Sequence, residues 1–573
     1  MNFKREEDQQ AEIAEALDNY SPPDNESDDA SENNKERKSQ ATILVDLASR
    51  ATLFHDSDGN GYACLAVGNH NENWPIRSRG FKDWLSHGFY LREGRAPNVT
   101  AVNDGLATIS GQARFEGSEC EVATRIASHG GAIYLDLCDD AWRAVEIDSD
   151  GWRTVGDPAV RFIRSRGMLP LPQPEHGDAE LIWHYVNVCD ADKPLVRGWL
   201  DAALRPTGPY PILVLQGEQG TGKSTQAKVL RSLVDPSRAP LRTAPKDERD
   251  LMIAGRNGWI ISLDNLSGLP SWVSDSLCRI ATGGGFATRE LYSDADEVLI
   301  DIQRPIVLNG IDDIATRQDL IDRALIVNLD PIPESQRVEE SRFWAEFNRA
   351  RPQILGACLD RISRAIRDID HVQLDHLPRM ADFARWAHAA GGGDKFMATY
   401  RANRQDAIAA GLEGSPVAQA IRRLVDDRES FSDTATVLLT ELERYADRSH
   451  LTLRSWPKSA RSLSSQLRRL ATALRAVGIE ATTDRVGKNR TRTWRIQKVA
   501  DFASKPSVAS ASMQNQEVTA ESADAKRTQS DDSGRKNHSL RPPVNACFQR
   551  KADEADEADA NPPNFYKPSR EVI

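Results

Sequence analysis

No C-x-x-C pair occurs among the seven cysteines Cys64, Cys120, Cys138, Cys189, Cys278, Cys358 and Cys547, and no paired spacing repeats. That argues against a structural zinc site and against a disulfide framework, and it fits a reducing compartment. No apolar run approaches the ~18 residues a membrane span needs, so no membrane partner is expected. The opening Met1-Asn2-Phe3-Lys4-Arg5-Glu6-Glu7-Asp8 lacks the apolar stretch of a signal peptide. The expected location is the cytoplasm.

What is present is length, uneven charge and one sharp motif. A chain of 573 residues can hold several domains with cores of their own. The net charge of −12 says less than its distribution. The sharp motif follows the apolar run Pro211-Ile212-Leu213-Val214-Leu215-Gln216 and reads Gly217-Glu218-Gln219-Gly220-Thr221-Gly222-Lys223-Ser224-Thr225. A helical pattern with Ala227, Leu230, Leu233 and Val234 on one face comes next. Strand, glycine-rich loop and helix are the required context of a phosphate-binding P-loop. The glycines let backbone N–H groups turn inward around phosphates, and the helix N-terminus adds its partial positive charge. All nine residues from Gly217 to Thr225 are therefore expected to cradle nucleotide, with Lys223 on the β/γ-phosphates and Ser224 as a Mg²⁺ ligand. ATP and Mg²⁺ are the expected cofactors.

Around this motif the chain divides by composition. Residues 1–40 are acidic and polar and should be disordered. Residues 41–168 carry short alternating runs between Gly, Asp and Asn turns, which predicts an α+β domain with an antiparallel sheet. Within it, Asp56-Ser57-Asp58-Gly59-Asn60-Gly61 looks like the start of a calcium loop. The twelfth position, where a bidentate Glu is needed, is Val67, so a turn between strands is the better reading. His55, His70, His87 and His129 are scattered and read as ordinary histidines. Residues 169–205 form a Pro-rich joint and helical linker, 206–332 the P-loop core and 333–410 a helical lid. A basic domain at 411–500 and a disordered tail at 501–573 complete the chain.

Three stretches after the P-loop fit a nucleotide-hydrolysing core. Gly258-Trp259-Ile260-Ile261-Ser262-Leu263-Asp264-Asn265 is an apolar strand ending in an acid, and Asp264 is expected to hold Mg²⁺. The second acid that usually polarises the attacking water is absent, and Asn265 stands in its place. Arg304-Pro305-Ile306-Val307-Leu308-Asn309-Gly310 ends in an amide placed to orient water or the γ-phosphate. Arg317-Gln318-Asp319-Leu320-Ile321-Asp322-Arg323 precedes a core strand. There an arginine could reach a neighbouring subunit's nucleotide, and Arg323 is favoured over Arg317.

Taken together, these motifs resemble a superfamily-3-type helicase ATPase of the AAA+ class, closest to the primase–helicase proteins of phages and mobile elements of the poxvirus type. The resemblance covers about residues 205 to 335. The block Asp275-Ser276-Leu277-Cys278-Arg279-Ile280-Ala281-Thr282-Gly283-Gly284-Gly285-Phe286-Ala287-Thr288-Arg289-Glu290-Leu291-Tyr292 is similar to that family's B′ motif, which leads into a DNA-contacting hairpin. The resemblance implies a DNA or inter-subunit contact at Arg289 and a ring assembly, a hexamer, completed by Arg323. The tip Ser293-Asp294-Ala295-Asp296-Glu297 is acidic where the family's pattern has a cation. No primase metal cluster is visible in residues 41 to 166, so priming is not expected.

Between residues 441 and 500 the charge reverses: fourteen Lys and Arg face five acids. Two helices and a hairpin with Gly487-Lys488-Asn489-Arg490 at its turn give a winged-helix outline. Arg468, Arg469, Lys488, Arg490 and Arg492 are expected to contact DNA, single-stranded in the leading reading, through phosphates. The fold class is thus a multidomain α/β protein. It has an AAA+-like P-loop NTPase core, a helical lid, an N-terminal α+β domain and a C-terminal winged-helix-like domain between disordered termini. The expected function is an ATP-hydrolysing DNA helicase or translocase for replication of a phage or other mobile element. An ATP-dependent DNA-binding switch that unwinds nothing is the alternative, and a small-molecule kinase fits less well.

Overall fold

The computed structural model describes residues 38–499 apart from 285, 290–296, 301, 311–313, 316, 454 and 487–490. Of the stretches expected to be disordered, 1–40 and 501–573, residues 1–37 and 501–573 lie outside these residues, as do most of the acidic hairpin tip, Lys488 and Arg490; Ser39 and Gln40 instead cap and open a helix. For the paired strands Phe286–Arg289 and Glu297–Ile300 the backbone alone is described, which leaves the Arg289 side chain outside as well.

Four parallel strands form the central sheet, in the order Ile261–Leu266, Ile306–Gly310, Ile212–Gln216 and Ala324–Asn328. They are near-continuous apolar runs because both faces are covered. The pleat divides them. Leu213 and Leu215 enter one core with Trp199, Leu230 and Val327, while Ile212 and Val214 enter a second with Leu263, Leu277 and Leu320. A single parallel bridge at Arg242 extends the sheet past Leu263: Arg242 N–H donates to Ser262 O at 3.0 Å, and Asp264 N–H to Arg242 O at 2.8 Å.

The stretch 41–168 distributes over more than one core. Helices Gln40–Ala48, Arg79–Glu93 and Val99–Phe115 pack on a four-stranded sheet around Leu44, Phe81, Leu85, Phe89 and Ile109. Here Asp56 sits in the turn between two strands, where its carboxylate accepts from Asn60 N at 2.8 Å and Tyr62 Oη at 2.8 Å. The antiparallel meander Ile126–His129, Ala132–Asp136, Ala144–Ile147 and Trp152–Val155 instead shares the first core of the central sheet through Ile133, Leu135, Val145 and Ile147.

A buried ionic seam joins meander and core. Arg125, fully buried, reaches Asp235 Oδ1 at 3.3 Å, Asp136 O at 2.9 Å and Leu169 O at 3.0 Å. The second oxygen of Asp235 takes Trp259 N at 2.9 Å, Ile260 N at 3.1 Å and Arg231 Nη2 at 3.3 Å. The Pro-rich joint then runs along the helix Glu340–Asp368, with Glu175 N–H donating to Pro352 O at 3.0 Å. Gly356 is required there, since a Cβ would collide with the Glu175 carbonyl.

The second core continues into the C-terminal region without a break. Ile408 and Leu412 of helix Gly393–Glu413 meet Val417, Ile421 and Leu424 of helix Pro416–Arg428, then Leu463 and Leu467 of helix Ala460–Ala476. The order from Pro416 is helix, strand Ser430–Thr434, helix Ala435–Tyr445, the short helix Arg448–Leu451, helix Ala460–Ala476 and the hairpin Ile479–Val486 with Thr491–Lys498. Strand Thr491–Lys498 lies between the other two. The chain is a multidomain α/β protein.

Candidate functional site

The glycine loop leaves the C-terminal end of strand Ile212–Gln216 and opens onto helix Lys223–Val234. Gly217, Gly220 and Gly222 hold φ of 148°, 89° and 80°, the backbone sense that L side chains avoid. A Cβ on Gly217 would fall 2.6 Å from Leu329 O and 3.2 Å from Thr221 Oγ1, so the loop closes only with glycine there. Thr221 Oγ1 donates to Glu218 O at 3.1 Å and fixes the curve from inside. Gln219 is exposed, while Thr225 sits in the first turn of the helix beside Ser224.

Three chemical groups meet at this loop. Lys223 Nζ donates to Gly217 O at 2.8 Å and Glu218 O at 2.7 Å, which places the ammonium over the loop. Partial burial draws its pKa below that of a free lysine, and the nearby Asp264 pulls the other way. Ser224 Oγ donates to Asp264 Oδ1 at 2.8 Å across two elements forty residues apart. Asn309, 1 % exposed on the adjacent strand, accepts from Asn265 N at 2.8 Å. That bond holds Asn265 at φ 56°, a conformation asparagine tolerates better than most residues. The Asn309 Nδ2 is buried without a hydrogen-bond partner among the described residues. Lys223, Ser224, Asp264 and Asn309 thus lie on one side of the sheet's C-terminal edge.

Arg323 lies elsewhere. Its carbonyl accepts from Ile212 N at 2.9 Å, and Ala324 pairs with Ile212 while Asn328 pairs with Gln216. Arg323 is therefore at the opposite edge of the sheet from the glycine loop, about 16 Å away for a five-residue strand. Its Nη1 donates to Asp319 O at 2.8 Å, and its Nε has no partner among the described residues. Arg317 pairs with Asp275 at 2.6 Å, on the helix Ser271–Thr282. Asp322, next to Arg323, is 4 % exposed and anchors the turn through Arg379 at 2.7 Å and Arg404 at 3.7 Å.

Arg468, Arg469 and Arg492 are exposed on the C-terminal region. Ser464 accepts from the buried Trp494 Nε1 at 3.1 Å, which ties helix to hairpin. Several other cations there are already paired, among them Arg444 with Glu441 at 3.0 Å and Arg495 with Asp484 at 3.4 Å.

Sequence reasoning missed two neighbours of the loop. Asn187 donates from Nδ2 to Thr221 O at 3.2 Å and to Asp330 O at 2.7 Å, stapling the loop to the segment after strand Ala324–Asn328. Nothing around Asn187 marks it, because its partners are backbone carbonyls far along the chain. The other is Arg337, whose only local signal is the Pro331-Ile332-Pro333 turn that precedes it. Among the described residues, no cluster of three or more His, Cys, Asp or Glu is placed to hold a metal, and no helix is long and apolar enough to cross a membrane.

Residues 180–409 match the family of the actinomycete integrative conjugative element replication protein, AICE RepA, and residues 417–512 match the AICE RepA C-terminal domain. No curated protein matches the sequence. Among solved structures the chain is similar to the apo form of the NrS-1 C terminal region, at 12% identity over 80% of this chain and 99% of that one, with a TM-score of 0.36. It is also similar to the Aeropyrum pernix ORC1 protein in complex with DNA, at 16% identity over 56% of this chain and 93% of that one, with a TM-score of 0.17.

Proposed function

We propose that this chain, a mobile-element replication protein by its family matches, is a P-loop ATPase of the AAA+ class that acts on DNA as a helicase or translocase. The observation that carries the reading is the Ser224–Asp264 pair at 2.8 Å, set beside Lys223 at the mouth of a glycine cradle. A hydroxyl and a carboxylate so placed fit a Mg²⁺ shared with nucleotide phosphates. A bound Mg²⁺ would neutralise charge on the phosphate oxygens. The rest falls to the protein: backbone N–H groups from Gly217 to Thr225 hold the phosphates, Lys223 balances their charge, and Asn309 positions water with its buried, unpartnered amide.

Arg323 cannot serve the loop of its own chain from the far edge of the sheet. In this reading it serves the next subunit's loop, which makes the active form a ring, six subunits by the family resemblance. The exposed arginines of the C-terminal region, a winged helix in this reading, engage DNA phosphates. The decisive experiment is ATP hydrolysis with and without single-stranded DNA, for the wild type, Lys223→Ala and Arg323→Ala. DNA-stimulated turnover should vanish in both variants, with Arg323→Ala still binding nucleotide. Turnover that ignores DNA and survives Arg323→Ala would rule out the motor.

A second reading rests on Asn265. With an amide at φ 56° where a second acid would polarise water, a slowly hydrolysing, ATP-dependent DNA-binding switch is the alternative. Strand separation driven by ATP would exclude it.

A further inference from the structure

We propose that Arg337 is a phosphate-binding, positioning residue for the nucleotide held by the glycine loop of its own chain, an inference that rests on the phosphate-loop reading above. The segment after strand Ala324–Asn328 forms a strap across the loop. Leu329 N–H donates to Gln216 O at 2.8 Å, and Asn187 holds Asp330 O at 2.7 Å while also holding Thr221 O. Ile332 Cδ1 would lie 3.3 Å from a Cβ on Gly222. Pro331 and Pro333 fix φ along the strap and limit its freedom. A 3₁₀ turn over Glu334–Gln336, closed by Gln336 N–H to Pro333 O at 2.9 Å, then turns the chain back. It delivers Arg337 to the loop, where a Cβ on Gly220 would lie 3.5 Å from Arg337 Nη2.

The guanidinium is underused for structure. Its one hydrogen bond among the described residues is from Nε to Ile332 O at 3.4 Å, at the long end of the range. A guanidinium has five donors. Glu334, Glu339 and Glu340 lie within three residues, yet among the described residues no carboxylate lies within ion-pair distance of Arg337. Five residues on, Arg342 does pair, with Glu346 at 2.8 Å. An exposed arginine that bypasses nearby acids and ends beside Gly220 of the glycine loop is placed for phosphate oxygens held there, which it can grip with two parallel hydrogen bonds. The strap feeds directly into helix Glu340–Asp368, so this grip also fixes where that helix begins.

The test is equilibrium binding of fluorescent ADP and of a non-hydrolysable ATP analogue to the full chain. Wild type, Arg337→Ala, Arg337→Gln, Arg337→Lys and Lys223→Ala are compared. Arg337 is exposed, so melting without nucleotide should match wild type. Arg337→Ala and Arg337→Gln should weaken binding of the analogue by about ten- to a hundredfold, and Arg337→Lys should recover part of the loss. A larger loss for the analogue than for ADP puts the contact at the terminal phosphate, and an equal loss puts it further in. Unchanged affinity in the folded Arg337 variants, with binding abolished in Lys223→Ala, overturns the proposal and leaves the phosphate-loop reading intact. A wild type that binds neither nucleotide removes both.

Discussion

Asp235 shows how much one side chain can hold. Its carboxylate, 1 % exposed, serves two backbone N–H groups and two arginines that are themselves 0 % and 2 % exposed. Removing one partner of a buried ionic group costs on the order of 3–5 kcal/mol, because the remaining charges stay buried and unmatched. Asp235→Ala should therefore lower the unfolding free energy by about that amount in chemical denaturation, while an exposed control such as Glu340→Ala should change it little. If both behave alike, the seam contributes nothing. Asp235 was not legible in the sequence, since its partners Arg125, Trp259 and Ile260 lie far along the chain. That Lys223, Ser224 and Asp264 come together was legible, because the strand, glycine loop, helix and acid-ending strand follow one another at readable spacings.

Among the elements, strands were easier to read than their surroundings. Ile212–Gln216, Ile306–Gly310 and Ala324–Asn328 are continuous apolar runs, and that pattern follows from burial on both faces. Helix Pro416–Arg428 and strand Ser430–Thr434 escaped the reading because their surface positions are charged and their apolar contacts lie in distant elements. The joint along helix Glu340–Asp368 gives a prediction of opposite sign to helix propensity. Alanine in place of glycine favours an exposed helix by roughly 1 kcal/mol. Gly356→Ala meets the Glu175 carbonyl instead, so thermal melting should show a loss of about 1–3 kcal/mol. A gain in stability would mean that the joint lifts away freely.

For the whole molecule, charge and core follow different boundaries. The basic region near residues 441–500 was legible from composition, and the exposed Arg468, Arg469 and Arg492 lie in it. If about six phosphates are contacted, affinity for single-stranded DNA should fall with a log–log salt slope near −4. Arg468→Ala with Arg469→Ala should reduce that slope by about one and a half. Fluorescence anisotropy across a salt series reads both, and binding indifferent to salt would exclude phosphate contacts by this region. Which core each module would join was not legible, because a strand buried on both faces does not announce what covers either face. The meander and the C-terminal helices take opposite faces of one sheet.

That sharing bears on how such genes can diversify. The two family matches end and begin at residues 409 and 417, the boundary at which a recombination crossover would leave both matched segments whole. Yet Ile408 and Leu412 on one side and Val417 and Ile421 on the other interlock in a single apolar interior. A mosaic gene spliced there would pair two halves whose side chains never adapted to one another. Swapping the terminal segment between such genes should therefore yield poorly folded hybrids, unless the matching sheet face is inherited with it.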